Sequence, residues 1–387
     1  MARCTSLKDR GRVTFSTDTS MAVSKPARGS WFNSLMAARG FQKWAAKFPL
    51  TRRIVRLEGE AMFDLLAGFC HSQVLCALVQ LEIPQKLMRG PMAAETLAVD
   101  AQMPLERMLI LLRAGVALGV LKSKRGGRFG LSRTGAALVG VPGLSQMIAH
   151  HDVLYRDLSD PVAFFRGEVQ TELAGFWPYV FGGNMDADVA ATYSDLMAQS
   201  QLLVADDTLA AIDFSGINTL MDIGGGSGAF LTAVGGAYSD LGLMLFDLPE
   251  VAPSAAQRFD AAGMTGRASI TGGSFRDNSL PEGADAISLI RVLYDHSDET
   301  VAALLAKIYA ALPSGGRLIV SEPMTGGARP TRAGDAYFAL YTLAMRTGRT
   351  RSADEIAALC RAAGFENIKT PAPRRAFVTS CLEARKP

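Results

Sequence analysis

Asp222-Ile223-Gly224-Gly225-Gly226-Ser227-Gly228 joins an acid to a run of glycines, and its flanks say where that run sits. The apolar lead-in from Asn218 to Ile223 suits a buried strand, and Ala229 to Val234 is helix-compatible, so the glycines lie between a strand and a helix. Glycine lets backbone approach a ligand closely at a sharp turn. A second strand, Leu243 to Phe246, ends in Asp247, placed where an acid can grip two ribose hydroxyls. The Asp-x-Gly-x-Gly-x-Gly spacing is the form this loop takes for S-adenosylmethionine (SAM). Gly224-x-Gly226-x-x-Ala229 also satisfies the looser dinucleotide pattern, so both ligands stay open. Asp222 favours SAM: an anion beside a diphosphate repels, whereas SAM carries an ammonium and a sulfonium.

Elements that position these residues follow from the period of the pattern. Strand-like runs at 219–223, 243–247, 285–292 and 317–321 alternate with helical stretches, which predicts an α/β fold with a parallel, doubly wound, Rossmann-like sheet. Ligands of such a sheet sit beyond the carboxyl ends of its strands. Gly272-Gly273-Ser274-Phe275 is one such end, with Phe275 placed to lie against an adenine. Another is Arg291 to Glu299, where Ser297 suits an N-cap followed by acids in the first turn. The run from Gly316 closes on Glu322, a carboxylate that strand propensity alone does not choose.

Upstream, Trp31 to Ala46, Glu58 to Leu81, Met92 to Gln102 and Leu105 to Leu121 read as helices. The basic stretch Lys122 to Leu131 turns at Gly126-Gly127 and predicts a β-wing, making residues 90–140 a winged helix. Nucleic acid is a poor partner. The helix from Leu105 to Val116 is overwhelmingly apolar, and a groove-reading helix needs polar side chains at base edges; it suits burial against another subunit. Residues 144–215 read as helical, with aromatics at Phe164, Phe165, Phe176, Trp177, Tyr179 and Phe181 before a helix from Ala187 to Ile212. The expected organisation is a disordered basic tail over 1–28, a helical dimerisation domain over 29–143, linker and pocket helices over 144–215, and a cofactor domain over 216–387.

At 387 residues the chain is long enough for two domains. Through residue 60, twelve Lys or Arg face four acids, a net +8 in a chain of net +3; such a leader can touch anionic lipid or remain a solvated tail. Five scattered cysteines (Cys4, Cys70, Cys76, Cys360, Cys381) suggest a reducing compartment. Adjacent His150 and His151, with His71 and His296 far away, read as surface or pocket-lining residues and suggest no metal. The first thirty residues lack the apolar core of a secretory signal. Leu65 to Leu81 carries no Lys, Arg, Asp or Glu but is too short to span a bilayer comfortably, so a buried or dimer-forming helix is expected.

Asp222 to Gly228, Phe246-Asp247-Leu248-Pro249, Arg291 to Glu299 and Leu312 to Pro323 resemble the SAM-dependent O-methyltransferases that include plant caffeic-acid and isoflavone enzymes and bacterial polyketide methyltransferases. The resemblance covers roughly residues 57–385, including the Cys360-to-Phe365 helix end. Pro49-Leu50-Thr51-Arg52, Phe63 to Phe69 and Arg291 to His296 point within the family to the branch acting on hydroxyneurosporene and demethylspheroidene in purple phototrophic bacteria. The resemblance implies a homodimer whose cofactor is SAM, bound by Asp222, Gly224, Gly226, Gly228 and Asp247. It puts Ser274-Phe275 where the family has an acid and an apolar residue around the adenine, and Arg291 at a Lys or Arg position. The implied reaction is methylation of the tertiary 1-hydroxyl of an acyclic carotenoid, in the cytoplasm or peripherally on the photosynthetic membrane.

The family's base is the His of Leu-His-Asp-Trp-Ser-Asp. Here the run is Leu293-Tyr294-Asp295-His296-Ser297-Asp298, so Tyr294 takes the base position and His296 the Trp position. Of two carboxylates that orient the family's His, one matches Glu322 and the other aligns with Thr350. Phenols ionise near pH 10, as Tyr does; a tertiary alcohol is weaker, so its proton leaves during transfer. His296, with its ordinary near-neutral pKa, suits a base if it points into the cleft, Tyr294 suits orientation of the hydroxyl, and Glu322 suits assistance. The alternatives are packing of His296 in the Trp position, a SAM-binding relative that transfers no methyl, and a DNA-binding regulator with a SAM sensor. Ala336 to Met345 offers an apolar wall.

Overall fold

The structure is a computed structural model that describes residues 30–176 and 200–387. The basic tail 1–28, Trp177, Tyr179, Phe181 and the stretch 187–199 lie outside the described residues. The chain divides into two compact units, residues 1–72 and 73–387.

In the first unit, helix α1 (Ser30–Ala37) and helix α2 (Arg39–Lys47) replace the single helix expected over 31–46. The break is Ala38, whose ψ of 122° is extended. Helix α3 (Arg52–Gln80) starts here and runs on into the second unit. By length and composition it is the one helix, among the described residues, able to cross a bilayer.

The second unit opens with α3's end packed on α4 (Ile83–Leu87), α5 (Ala94–Asp100) and α6 (Leu105–Ala117). Strands β1 (Met92–Ala93), β2 (Leu121–Lys124) and β3 (Arg128–Leu131) form a small antiparallel sheet in the order β1-β3-β2. Leu78, Met108 and Leu112 are wholly buried in this core. Helices α7 (Arg133–Gly140), α8 (Leu144–Asp157) and α9 (Pro161–Phe165) follow.

Beyond a helix over 200–211 comes a seven-stranded sheet in the order β6-β5-β4-β7-β8-β10-β9. Strands β4 (Thr219–Ile223), β5 (Gly242–Asp247), β6 (Ala268–Gly272), β7 (Ala286–Ile290) and β8 (Arg317–Glu322) are parallel. β9 (Glu366–Lys369) and β10 (Ser380–Arg385) run antiparallel. The sheet is therefore mixed rather than wholly parallel, because a loop without a crossover helix returns the chain from β9 to β10. Side chains alternate across it: Met221, Ile223, Ile287 and Leu289 enter one core, Leu220, Ala286 and Ile290 the other. Strand order reverses between β4 and β7, and that switch fixes where a ligand can enter.

Candidate active site

Asp222 lies on β4 directly opposite Ser288 of β7, and both are fully buried. Ser288 Oγ donates to Asp222 Oδ1 at 2.6 Å, while Oδ2 has no hydrogen-bond partner. Burial pushes this carboxyl up to about 8; the Ser288 bond opposes the shift and nearby Asp247 adds to it. Above it the chain turns through Gly224, Gly226 and Gly228, all at positive φ, a region that favours glycine. A side chain at Gly225 would meet Asp222 Oδ2 at 2.6 Å and Leu245 at 2.8 Å. Asp247 anchors the loop, accepting from Gly226 N at 2.7 Å and from Leu248 N at 2.7 Å.

These residues fit SAM. A buried carboxylate oxygen without a partner, under a loop open enough for backbone to meet ligand, matches a cationic amino acid end. Each Asp247 oxygen accepts a single amide bond and retains acceptor capacity for a ribose diol. When bound, SAM supplies an electrophilic methyl group on a sulfonium.

After β6, Ser274 N donates to Asn278 Oδ1, and Lys307 Nζ donates to the carbonyls of Phe275, Arg276 and Asn278 at 2.7–2.9 Å. That fixed turn presents Phe275 edge-on to His296, with ring centroids 5.1 Å apart. Arg276 Nη2 lies 3.1 Å from His296 Nδ1, the guanidinium donating. Burial, then the charges of Arg276 and Arg351, hold His296 down to about 4. His296 thus stands beside the Phe275 turn.

The turn after β7 is built by Glu322. Its Oε1 accepts from the amides of Val292 (3.0 Å) and Leu293 (2.5 Å), and its Oε2 from that of Tyr294 (2.9 Å). Burial raises the Glu322 carboxyl to about 7 against the pull of those amides. The buried Arg351 guanidinium closes the same turn by donating to the carbonyls of Leu293 and His296, each at 2.8 Å. Arg291 sits at φ 59°, an uncommon conformation for a side-chain-bearing residue, and donates to Ser200 at 2.8 Å. Tyr294 is buried among Val153, Leu154, Phe164, Leu173, Tyr341 and Met345. Burial drives its phenol further up. Thr350 Oγ1 lies 3.2 Å from Thr342 Oγ1.

The sheet-end turns therefore bring Tyr294, Arg291 and Glu322 together on one side, and put His296 with Phe275 on another. Two imidazoles outside the family motif also reach this region. His151 Nε2 is 2.7 Å from Tyr337 Oη, and His150 Nε2 is 3.2 Å from Tyr341 Oη. The sequence offers these histidines only as an adjacent pair, and nothing in it pairs segments nearly two hundred residues apart. Among the described residues no group of His, Cys, Asp and Glu could hold a metal ion.

A switch-point sheet, a glycine loop over an orphaned buried carboxylate and an acid on the neighbouring strand define a SAM-dependent methyltransferase. A model of the O-methyltransferase domain matches residues 155–366, and one of the O-methyltransferase dimerisation domain matches residues 63–140. Demethylspheroidene O-methyltransferase of Cereibacter sphaeroides is 54% identical over 95% of this chain and 98% of its own. Its namesake from Rhodobacter capsulatus is 47% identical over 94% and 92%. The SAH-bound crystal structure of CalO1, a methyltransferase in calicheamicin biosynthesis, superposes with a TM-score of 0.71 at 26% identity, covering 86% of this chain and 98% of that one. The chain belongs to the SAM-dependent O-methyltransferase family.

Proposed function

We propose that this enzyme methylates the tertiary 1-hydroxyl of an acyclic carotenoid of the hydroxyneurosporene or demethylspheroidene type. The observation that carries this reading is the near full-length identity of 54% to a relative named for demethylspheroidene. The apolar surroundings of Tyr294 support it, since a polyene end needs walls such as Leu154, Phe164 and Met345. Asp222 receives the SAM ammonium, Asp247 the ribose, and Gly224, Gly226 and Gly228 the backbone approach. Ser274 and Phe275 frame the adenine, and Arg291 flanks the sulfur end. Tyr294 orients the hydroxyl. Glu322 assists by holding the amides that place Tyr294, and His296 takes the packing role of the family's Trp beside Phe275. Holding the nucleophile in line with the methyl supplies much of the rate.

The working form in this proposal is a homodimer. Met62, Phe63, Leu65, Leu66 and Phe69 on α3 are each more than 60% exposed, an apolar face of the kind a second subunit covers, and the dimerisation-domain match begins at residue 63. Peripheral membrane contact completes the reading. Exposed Trp31, Phe32, Trp44 and Phe48 accompany Arg39, Lys43, Lys47, Arg52, Arg53 and Arg56, the pairing of aromatic and cationic residues that favours an anionic bilayer surface.

The test is methyl-labelled SAM with detergent-dispersed 1-hydroxy carotenoid and mass analysis of the pigment. A labelled product one methyl heavier is expected. Unmodified pigment with SAM still bound would overturn the substrate assignment.

A further inference from the structure

The methyl acceptor must lose a proton, and the groups around Tyr294 are poorly suited to take it. Tyr294 itself is a neutral phenol. Glu322 is committed to the three backbone amides that place Tyr294, and protonating it would release that turn. The Nδ1 of His296 faces the Arg276 guanidinium, and its ring lies against Phe275.

The remaining imidazoles come from α8. His150 and His151 reach across to Tyr341 and Tyr337, which stand one turn apart where a π-helical turn, Gly334–Phe338, leads into a helix over Ala339–Met345. Such turns occur often at functional sites because they re-aim side chains. This one is pressed on the chain just past β8: a Cβ at Gly334 would fall 2.3 Å from the Met324 carbonyl. Tyr341 packs in the same cluster as Tyr294, and the Arg291 charge acts on Tyr294, Tyr337 and Tyr341 alike. His151 and Tyr337 are only half-buried, so their pair is reachable from solvent rather than sealed in the core.

We propose that His151 is the proton acceptor of methyl transfer, working through the phenol of Tyr337. This rests on the methyl-transfer reading above. As the substrate oxygen bonds to the methyl carbon, the carbon–sulfur bond breaks and its electron pair stays on sulfur. The hydroxyl proton passes to Tyr337 Oη, and the Tyr337 proton passes to His151 Nε2. One positive charge disappears from the sulfonium and one appears on the imidazolium. Tyr337 is then the catalytic residue touching substrate, and His151 acts through it. The groups facing His151 are His150 and Tyr155 on its own helix and Tyr337 opposite, whose neighbour Tyr341 meets His150. Burial, then the charge of His150, holds His151 down to about 4, so the ring rests neutral and accepts the proton as charge develops during transfer.

The test compares wild type, His151→Gln and Tyr337→Phe in the labelled-methyl assay from about pH 3.5 to 9, the range that includes the His151 titration near 4, with SAM affinity measured by calorimetry. Each variant should lose about 100-fold in kcat, the scale of general base catalysis, with SAM affinity within twofold of wild type. The acidic limb of the wild-type kcat profile should vanish in His151→Gln. Retention of that limb, or of wild-type kcat, would overturn the relay. A phenolic acceptor run in parallel separates the two readings. Methylation of the phenol alone would remove the carotenoid assignment and leave the relay to be read on the phenol; transfer to neither acceptor would remove both.

Discussion

At the scale of single residues, the balance of burial and partners decides what each acid can do. Asp222 has one oxygen satisfied by Ser288 and one with no partner, and its carboxyl is pushed up to about 8. A cationic ligand restores the charged form, so SAM binding near pH 6.5 should release about one proton. Calorimetry in two buffers of different ionisation enthalpy reads this directly, and identical enthalpies would contradict it. Because the raised group is mostly protonated below about 8, SAM affinity should also strengthen as pH rises from 6 to 8. Asp222→Asn removes the charge and should weaken SAM binding by about 10- to 100-fold, given the ~1.5–3 kcal/mol of a hydrogen bond to a charged group. Spacing alone singled out Asp222 and Asp247. Ser288 was invisible in the sequence, because its role comes from the register of β7 against β4.

At the scale of elements, the turn 291–296 is held from both sides by buried charge, and this is where motif and geometry part. The sequence singled out Glu322 as an unexpected carboxylate at a strand end, and the structure finds three amides converging on it. Glu322→Gln leaves a single acceptor oxygen and turns an amide group toward backbone donors. It should cost about 2–4 kcal/mol of stability, in line with unsatisfied buried polar groups, read as a fall in the denaturant midpoint. Survival of the midpoint would mean that the turn stands without Glu322. Gly225→Ala tests the loop in the same way, since its new Cβ would crowd Asp222 Oδ2 and Leu245; reduced SAM affinity with little change in the unfolding slope is expected. Ser297 does cap its helix (Asp298–Ala311), accepting from Thr300 N, with Asp298 and Glu299 in the first turn. A cap is a local device, so three or four residues suffice to disclose it. The break between α1 and α2 leaves no mark in the sequence, because Ala38 carries no breaker signal.

For the whole molecule, neutral buried histidines tie stability to pH. His296 is held down to about 4 from an ordinary 6.5. Such a group takes up its proton more readily when unfolded, so its contribution is intact above about 6.5 and declines as pH falls toward 4. Relative to wild type, His296→Gln should gain about 2 kcal/mol between pH 7 and pH 4.5, on the basis of ~1.36 kcal/mol per pKa unit. Parallel curves for the two proteins would argue that the ring is solvated.

By itself the sequence determined the glycine loop, its two acids, the strand–helix alternation and the apolar α3, because each is a pattern of near neighbours along the chain. It also marked Tyr294 as a departure from the family motif. Tertiary structure alone decided that β10 enters the sheet antiparallel beside β8, that Arg351 closes the turn from 58 residues away, and that His151 meets Tyr337. Those contacts join segments far apart in the chain. Their partners are selected by packing and by the need to satisfy buried polar groups, and neither leaves a periodic trace in the residues that comply.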